Sequence, residues 1–305
     1  MEKINKSQIA VGNYHYVSWS FDYFLDSVKK IGAENIELWG AKPHFCVDDQ
    51  NKESAAEFKK RIEDKGLNLI CFCPEQNTYP IDISCREKQL RKRSVEHIKR
   101  AIEICSWLGV SRMLLCPGNG YIDEPENRVW ERCRNSLSQL VETAADYNVC
   151  LMLETQSQEE SLFMNTAGQQ KQMMDEVSHP NLKAMLDTVQ LAQFDQDVKE
   201  DLRILGIQNV KHVHLGNTLI QDRTWYDKEL PERLRRGRKT VGHIGLREGN
   251  LPLGQYLEQL ADEGYTDYIT IEICQRAYFM DAHRYAKEAF DYVAEILKAA
   301  KNPSV

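Results

Sequence analysis

The chain has 305 residues, 42% of them hydrophobic and 28% charged, and a formal net charge of −7. This is the make-up of a soluble globular protein that can bury a large core. Its negative balance argues against a phosphate backbone, and so against nucleic acid, as the main partner. The nine cysteines are scattered, the start Met-Glu-Lys-Ile-Asn-Lys lacks an apolar segment, and no run reaches the roughly 18 apolar residues of a membrane span, so a cytoplasmic protein without a membrane anchor is expected.

In chain order, short β-rich runs alternate with longer amphipathic segments. A strand at 8–12 is followed by a helix at 21–31, which Gly32 should stop. A strand at 35–39 leads to a helix at 53–65 ending at Gly66, and a strand at 67–73 to a long helix at 87–108 ending at Gly109. Cys71 and Cys73, one residue apart, share a face of their strand, where free thiols act as small hydrophobes. After a strand at 112–116, the segment 127–147 carries Trp130, Cys133, Leu137, Leu140, Val141 and Ala144 at helical spacing. Strands follow at 149–153, 183–187 and 210–215, with the weakest helix pattern between 187 and 210. A helix at 253–263, a strand at 268–273 and a helix at 282–298 close the chain. Eight apolar strands interleaved with helices predict one α/β domain over residues 1–305, a (β/α)8 TIM barrel.

The connection from 216 to about 251 is out of proportion to the others. It follows the seventh strand, so it should rise over the C-terminal rim as a lid, a substrate wall, a subunit contact or a solvated loop. It contains Trp225, Tyr226 and the basic residues Arg233, Arg235, Arg236, Arg238 and Lys239.

Chemistry in such barrels collects at the C-terminal ends of the strands. The second run ends in Glu37-Leu38-Trp39-Gly40, the third enters Pro74-Glu75, the fifth ends at Glu154, the sixth at Asp187, the seventh reads His212-Val213-His214 and the eighth reaches Glu272. A carboxylate buried after an apolar strand is costly unless it is paired, protonated or bound to a metal. Glu154, Asp187, His214 and Glu272, from four successive strands, can converge on one divalent ion. Mn2+ is the first choice for this oxygen-rich set, with Mg2+, Co2+ and Zn2+ as alternatives. Four protein ligands on a six-coordinate ion leave room for two substrate oxygens. His212, one layer deeper, reads as core or as support for the ligands.

At this point the chain resembles the xylose-isomerase-like barrel superfamily of sugar isomerases and epimerases, closest to fructoselysine 3-epimerase and the ketose 3-epimerases. The resemblance rests on Ile36-Glu37-Leu38-Trp39-Gly40, Leu153-Glu154, Leu186-Asp187, His212-Val213-His214 and Ile271-Glu272. It extends to Lys42-Pro43-His44, Pro74-Glu75, Asn77, Tyr79-Pro80 and Glu160-Ser161. It implies proton transfer beside a sugar carbonyl, with Glu154 and Glu272 as the acid/base pair and Asp187 and His214 as purely structural ligands. It also implies substrate contacts from Glu160, Gln190, Trp39, His44, Glu75 and, on the long connection, Trp225.

The chain departs from the ketose 3-epimerase pattern twice. Gln190 stands where a substrate-facing histidine is expected, and Gly216-Asn217-Thr218 replaces an expected arginine. An alternative within the superfamily is a lyase, the catalytic α subunit of a C-glycoside deglycosidase, which would deprotonate a 3-keto glycoside and expel an aromatic aglycone. Trp39, Tyr79, Trp225, Tyr226 and Tyr278 would wall such a substrate, and a small β subunit would be its partner. A remote alternative is phosphodiester cleavage as in the endonuclease IV barrels. The expected partners are thus a small sugar or glycoside and further copies of the chain.

Overall fold

The computed structural model describes residues 4–221, 229 and 236–301. Eight parallel strands close into a barrel: β1 (Ile9–Gly12), β2 (Asn35–Gly40), β3 (Asn68–Pro74), β4 (Arg112–Leu115), β5 (Cys150–Leu153), β6 (Leu182–Asp187), β7 (Val210–Leu215) and β10 (Tyr268–Ile271). β10 pairs with β1, which seals the sheet. Two short strands of the long connection, β8 (Ile220–Gln221) and β9 (Lys239–Thr240), form a separate antiparallel pair. The connection expected as a loop thus carries a β-ribbon at its base. Trp225, Tyr226, Arg233 and Arg235 lie outside the described residues.

The helices are α1 (Phe21–Ile31), α2 (Lys52–Asp64), α3 (Lys88–Trp107), α4 (Glu126–Asp146), α5 (Ala167–Val177), α6 (Thr188–Gln193), α7 (Val198–Leu205), α8 (Leu253–Asp262) and α9 (Ala282–Lys301). α4 buries Cys133, Leu137, Leu140, Val141 and Ala144, while Trp130, at the edge of that stripe, donates its indole N–H to Glu176. α5 has no counterpart among the predicted helices. Its sequence, rich in Gln and Met, carries a weak apolar stripe, and its start is set by a capping box between Thr166 and Gln169. The weakly patterned segment before β7 holds two short helices, α6 and α7, capped by Asp187 and Asp197.

Two apolar layers follow from the strand period of two. Outward residues such as Val11, Ile36, Leu38, Leu151 and Leu186 pack under the helices. Inward residues Ala10, Ile70, Cys71, Cys73, Leu114, Cys116, Met152 and Met185 fill the lumen. All nine cysteines are free thiols. No described helix is long and apolar enough to cross a membrane.

Candidate metal centre and active-site cavity

Each expected ligand stands at the C-terminal end of a strand: Glu154 just past β5, Asp187 closing β6, His214 near the end of β7 and Glu272 just past β10. Glu154, Asp187 and His214 each offer a ligand atom within 4.8 Å of the other two. His214 Nδ1 also lies 2.8 Å from Glu272 Oε2 and 4.0 Å from Asp187 Oδ2. Despite that proximity, His214 Nδ1 and Glu272 Oε2 are buried and make no hydrogen bond within the protein. Buried polar atoms are rarely left so. The donor set, mostly carboxylate oxygen with an imidazole nitrogen, fits a divalent cation, and the orphaned atoms face one another where it would sit.

The candidate ligands are aimed by groups behind them. Asp187 Oδ1 accepts from the backbone N–H groups of Val189 and Gln190 at the start of α6, leaving Oδ2 for the centre. His214 Nε2 lies 2.9 Å from Glu37 Oε1, so Nδ1 faces inward. Glu37 also accepts from the Tyr14 hydroxyl at 2.8 Å and meets His212 Nε2 at 2.6 Å. A carboxylate behind a ligating imidazole fixes its tautomer and orientation. Glu37 is fully buried. Burial alone would raise its pKa, but His214 and then His212 hold it well below the usual carboxylate range. Glu37 was visible in the sequence as a strand carboxylate, but its partner was not.

One further side chain stands in the cluster. His243, on the connection after β9, places Nε2 2.8 Å from Asp187 Oδ2 and 3.4 Å from Glu272 Oε2. Burial pulls its pKa down, but Asp187 and Glu272 outweigh burial and bring it to about 10. The two glutamates expected as the acid/base pair shift in opposite directions. Burial raises Glu154 well above its ordinary value, against His214 and with help from Asp187 and Glu272. Burial also opposes ionisation of Glu272, but His243 and His214 overcome it and lower its pKa.

Above this cluster opens a cavity of about 500 Å3, lined among others by Glu154, His214, Glu272, Glu160, Trp39 and Glu75. Trp39 donates its indole N–H to Glu75 at 2.7 Å and stacks on Tyr14. Glu160 accepts from Ser157 Oγ at 2.8 Å, and from Asn77 and Gln190 side-chain amides at 3.2 Å each.

Residues 25–296 match the profile of the xylose isomerase-like TIM barrel family. The chain belongs to that family. It is 24% identical to fructoselysine 3-epimerase of Shigella flexneri over 276 residues, which is 90% of this chain and 93% of that one. The apo crystal structure of 3-keto-D-glucoside 4-epimerase, YcjR, from E. coli superposes with a TM-score of 0.74 at 15% identity, covering 94% of this chain and 99% of that one. The IOLI protein with a binding zinc atom gives a TM-score of 0.73 at 16% identity, over 98% and 100% of the two chains.

Not every residue carried over from the family reaches the cavity. The half-buried His44 is engaged inside the protein, where Nδ1 meets the Asn13 side-chain amide and Nε2 the Trp19 carbonyl, both at 2.8 Å. Asn13 in turn holds both backbone groups of Trp39. Gln190 donates its side-chain amide to Glu160 at 3.2 Å and its backbone N–H to Asp187, while its Oε1 is buried without a hydrogen bond. Trp225 falls outside the described residues. Of the aromatics expected as walls, Tyr79 bonds the Lys42 N–H and Tyr278 the Glu248 carboxylate. Trp39, another of them, lines the cavity, and among the described residues Tyr14 and Phe279 line it as well. Where the family arginine was expected, Asn217 folds the connection back, donating to the Leu246 carbonyl and accepting from the Thr218 and Leu251 N–H groups.

Proposed function

We propose that the chain is a divalent-metal-dependent sugar epimerase or isomerase that moves a proton at the carbon beside a sugar carbonyl. The observation that carries this reading is the facing of orphaned His214 Nδ1 and Glu272 Oε2, with Glu154 and Asp187 beside them, at the floor of a cavity. Glu154, Asp187, His214 and Glu272 would hold the ion, Mn2+ by preference, with Mg2+, Co2+ or Zn2+ as alternatives. Bound there, it would supply Lewis-acid stabilisation of negative charge on the carbonyl oxygen.

The protein's own groups do the rest. Glu154 and Glu272 line the cavity from strands separated by β6 and β7 in the barrel order, so they approach a substrate carbon from different directions. One takes the proton and the other returns one. Carboxylates can serve as base and acid in this way when their environments set their pKa values apart. Glu160, held by Ser157, Asn77 and Gln190, orients a substrate hydroxyl. Trp39, steadied by Glu75 and Tyr14, forms an apolar wall.

The named similarity to fructoselysine 3-epimerase supports epimerisation of a ketose or modified ketose. A second reading, the deglycosidase-type lyase, is favoured by cavity size: about 500 Å3 with Trp39, Tyr14 and Phe279 around it has space for more than a free hexose. Incubation of the metal-loaded chain with simple ketoses, fructoselysine and a 3-keto C-glycoside separates the two. Epimerisation without a partner supports the first. Release of aglycone, with a small subunit required, supports the second, and no turnover of any of these by active-metal protein contradicts both.

A further inference from the structure

His243 belongs to the long connection rather than to a strand end, yet it is built into the metal cluster. Its carbonyl accepts from the Cys274 N–H at 3.1 Å and the Gln275 N–H at 3.3 Å, just past Glu272. The next residue, Ile244, donates its N–H to the Asn217 carbonyl at 2.9 Å, just past β7. The imidazole lies against Gly216, where a Cβ would meet His243 Cδ2 at 2.6 Å and Val189 Cγ2 at 2.8 Å. A side chain at 216 would therefore evict the ring. Gly242, at φ +75°, gives the chain the turn that presents it.

The direction of the ring matters. His243 Nε2 meets Asp187 Oδ2, not Oδ1, and Oδ1 is already spent on capping α6. It thus hydrogen-bonds the carboxylate oxygen that does not cap α6, and it also approaches the orphaned Glu272 Oε2. Ligands about 2.1 Å from an octahedral ion lie about 3 Å apart when adjacent and about 4.2 Å apart when opposite. The separations of 2.8 Å (His243 to Asp187), 3.4 Å (His243 to Glu272) and 2.8 Å (His214 to Glu272) match adjacent positions, and 4.0 Å (His214 to Asp187) approaches the opposite one.

We propose that His243 is a fifth protein ligand of the divalent ion, delivered by the connection after β7. This rests on the metal reading above and deepens it. With five protein ligands a six-coordinate ion would have room for one substrate oxygen, which would be the carbonyl oxygen. The adjacent hydroxyl, if present, falls to protein groups such as Glu160. The connection then supplies part of the metal centre itself.

The test is electron-nuclear spectroscopy on the full chain loaded with Mn2+, counting directly coordinated imidazole nitrogens, alongside Mn2+ affinity by calorimetry. Two coordinated imidazoles are expected in the wild type and one in His243→Asn. Mn2+ binding should weaken at least about tenfold in that variant. Gly216→Ala, which displaces the ring without removing it, should shift the same signal. A single imidazole in the wild type overturns the role of His243 and leaves the four-ligand site standing. Failure of the wild type to bind any divalent ion overturns the metal reading, and His243 with it.

Discussion

At the N-terminal end of the barrel, Arg112, Lys183 and Lys211 gather near Asp267. The Arg112 guanidinium contacts Asp267 Oδ1 at 2.5 Å, Lys211 Nζ reaches Oδ2 at 3.2 Å, and Lys183 donates to Asn209. These charges keep partial contact with water, and each finds a partner inside the protein. At the other end, Glu154, Asp187 and Glu272 are buried together, balanced only by imidazoles, and two of the atoms there have no hydrogen bond. The first cluster is complete as it stands and reads as stability. The second leaves buried polar atoms unsatisfied, which is what the proposed metal and substrate would satisfy. In this barrel the unsatisfied end is the one where chemistry is expected, and the satisfied end is not.

Substitutions at the two ends should therefore have opposite readouts. The largest effect is expected at the rim: Glu154→Gln or Glu272→Gln should lower kcat at saturating metal by about 10²- to 10⁴-fold or more, with little change in the melting temperature measured in the presence of chelator. Retained full turnover in either variant would sink the proton-transfer mechanism. Next, chelation should abolish activity and lower thermal stability, and both should return with a divalent ion. At a free ion concentration a hundredfold above Kd the bound ion adds about 2.7 kcal/mol. A melting temperature indifferent to chelator would count against a bound structural charge. Glu37→Gln comes third: by loosening His214 it should weaken metal binding about 10- to 100-fold, measured by calorimetry. At the opposite end, Asp267→Asn should cost about 1–2 kcal/mol of stability in denaturant unfolding while leaving kcat/KM unchanged. A loss of activity without loss of stability there would erase the contrast.

The smallest effect is a pH dependence away from both ends. Asp201 on α7 is buried, and its Oδ2 has no partner. Burial, then Asp197 and Glu200, raise its pKa to about 7. The unfolded value is about 3.9, so the folded protein keeps a proton that the unfolded chain releases. Stability from this group falls as pH rises from about 4 to 7 and stays reduced above. Asp201→Asn should accordingly raise the melting temperature by a few degrees, at about 2–4 °C per kcal/mol, at pH 8 and leave it unchanged near pH 3. An equal gain at both values would contradict the shift.

The rim was legible in the sequence because its signal is local and costly: a Glu or Asp at the end of an apolar strand, repeated on successive strands. The strand and helix alternation was legible for the same reason. What escaped depended on closure of the barrel. Glu37 sits in the apolar run Asn-Ile-Glu-Leu-Trp-Gly, but only the three-dimensional pairing brings it to His212, His214 and Tyr14. His243 lies in a connection without strand period, so its sequence can suggest a rim loop but not the contact with Asp187 and Glu272. The internal partners of His44, Asn13 and the Trp19 carbonyl, were likewise invisible in a short motif. α5 escaped because its polar, Gln-rich face hides a helix whose start is specified by capping.

The central claim, a metal-assisted proton exchange between Glu154 and Glu272 at a carbon beside a sugar carbonyl, is tested most directly in deuterium oxide. The metal-loaded chain is incubated with ketoses, fructoselysine and 3-keto glycosides, and carbon-bound deuterium is read by NMR and mass spectrometry. Deuterium entering at the carbon next to the carbonyl of at least one substrate, and lost in both Glu154→Gln and Glu272→Gln, is the predicted result. Deuterium entering at the wild-type rate in both variants, or product formed from these sugars with no solvent deuterium in it or in recovered substrate, would contradict the account.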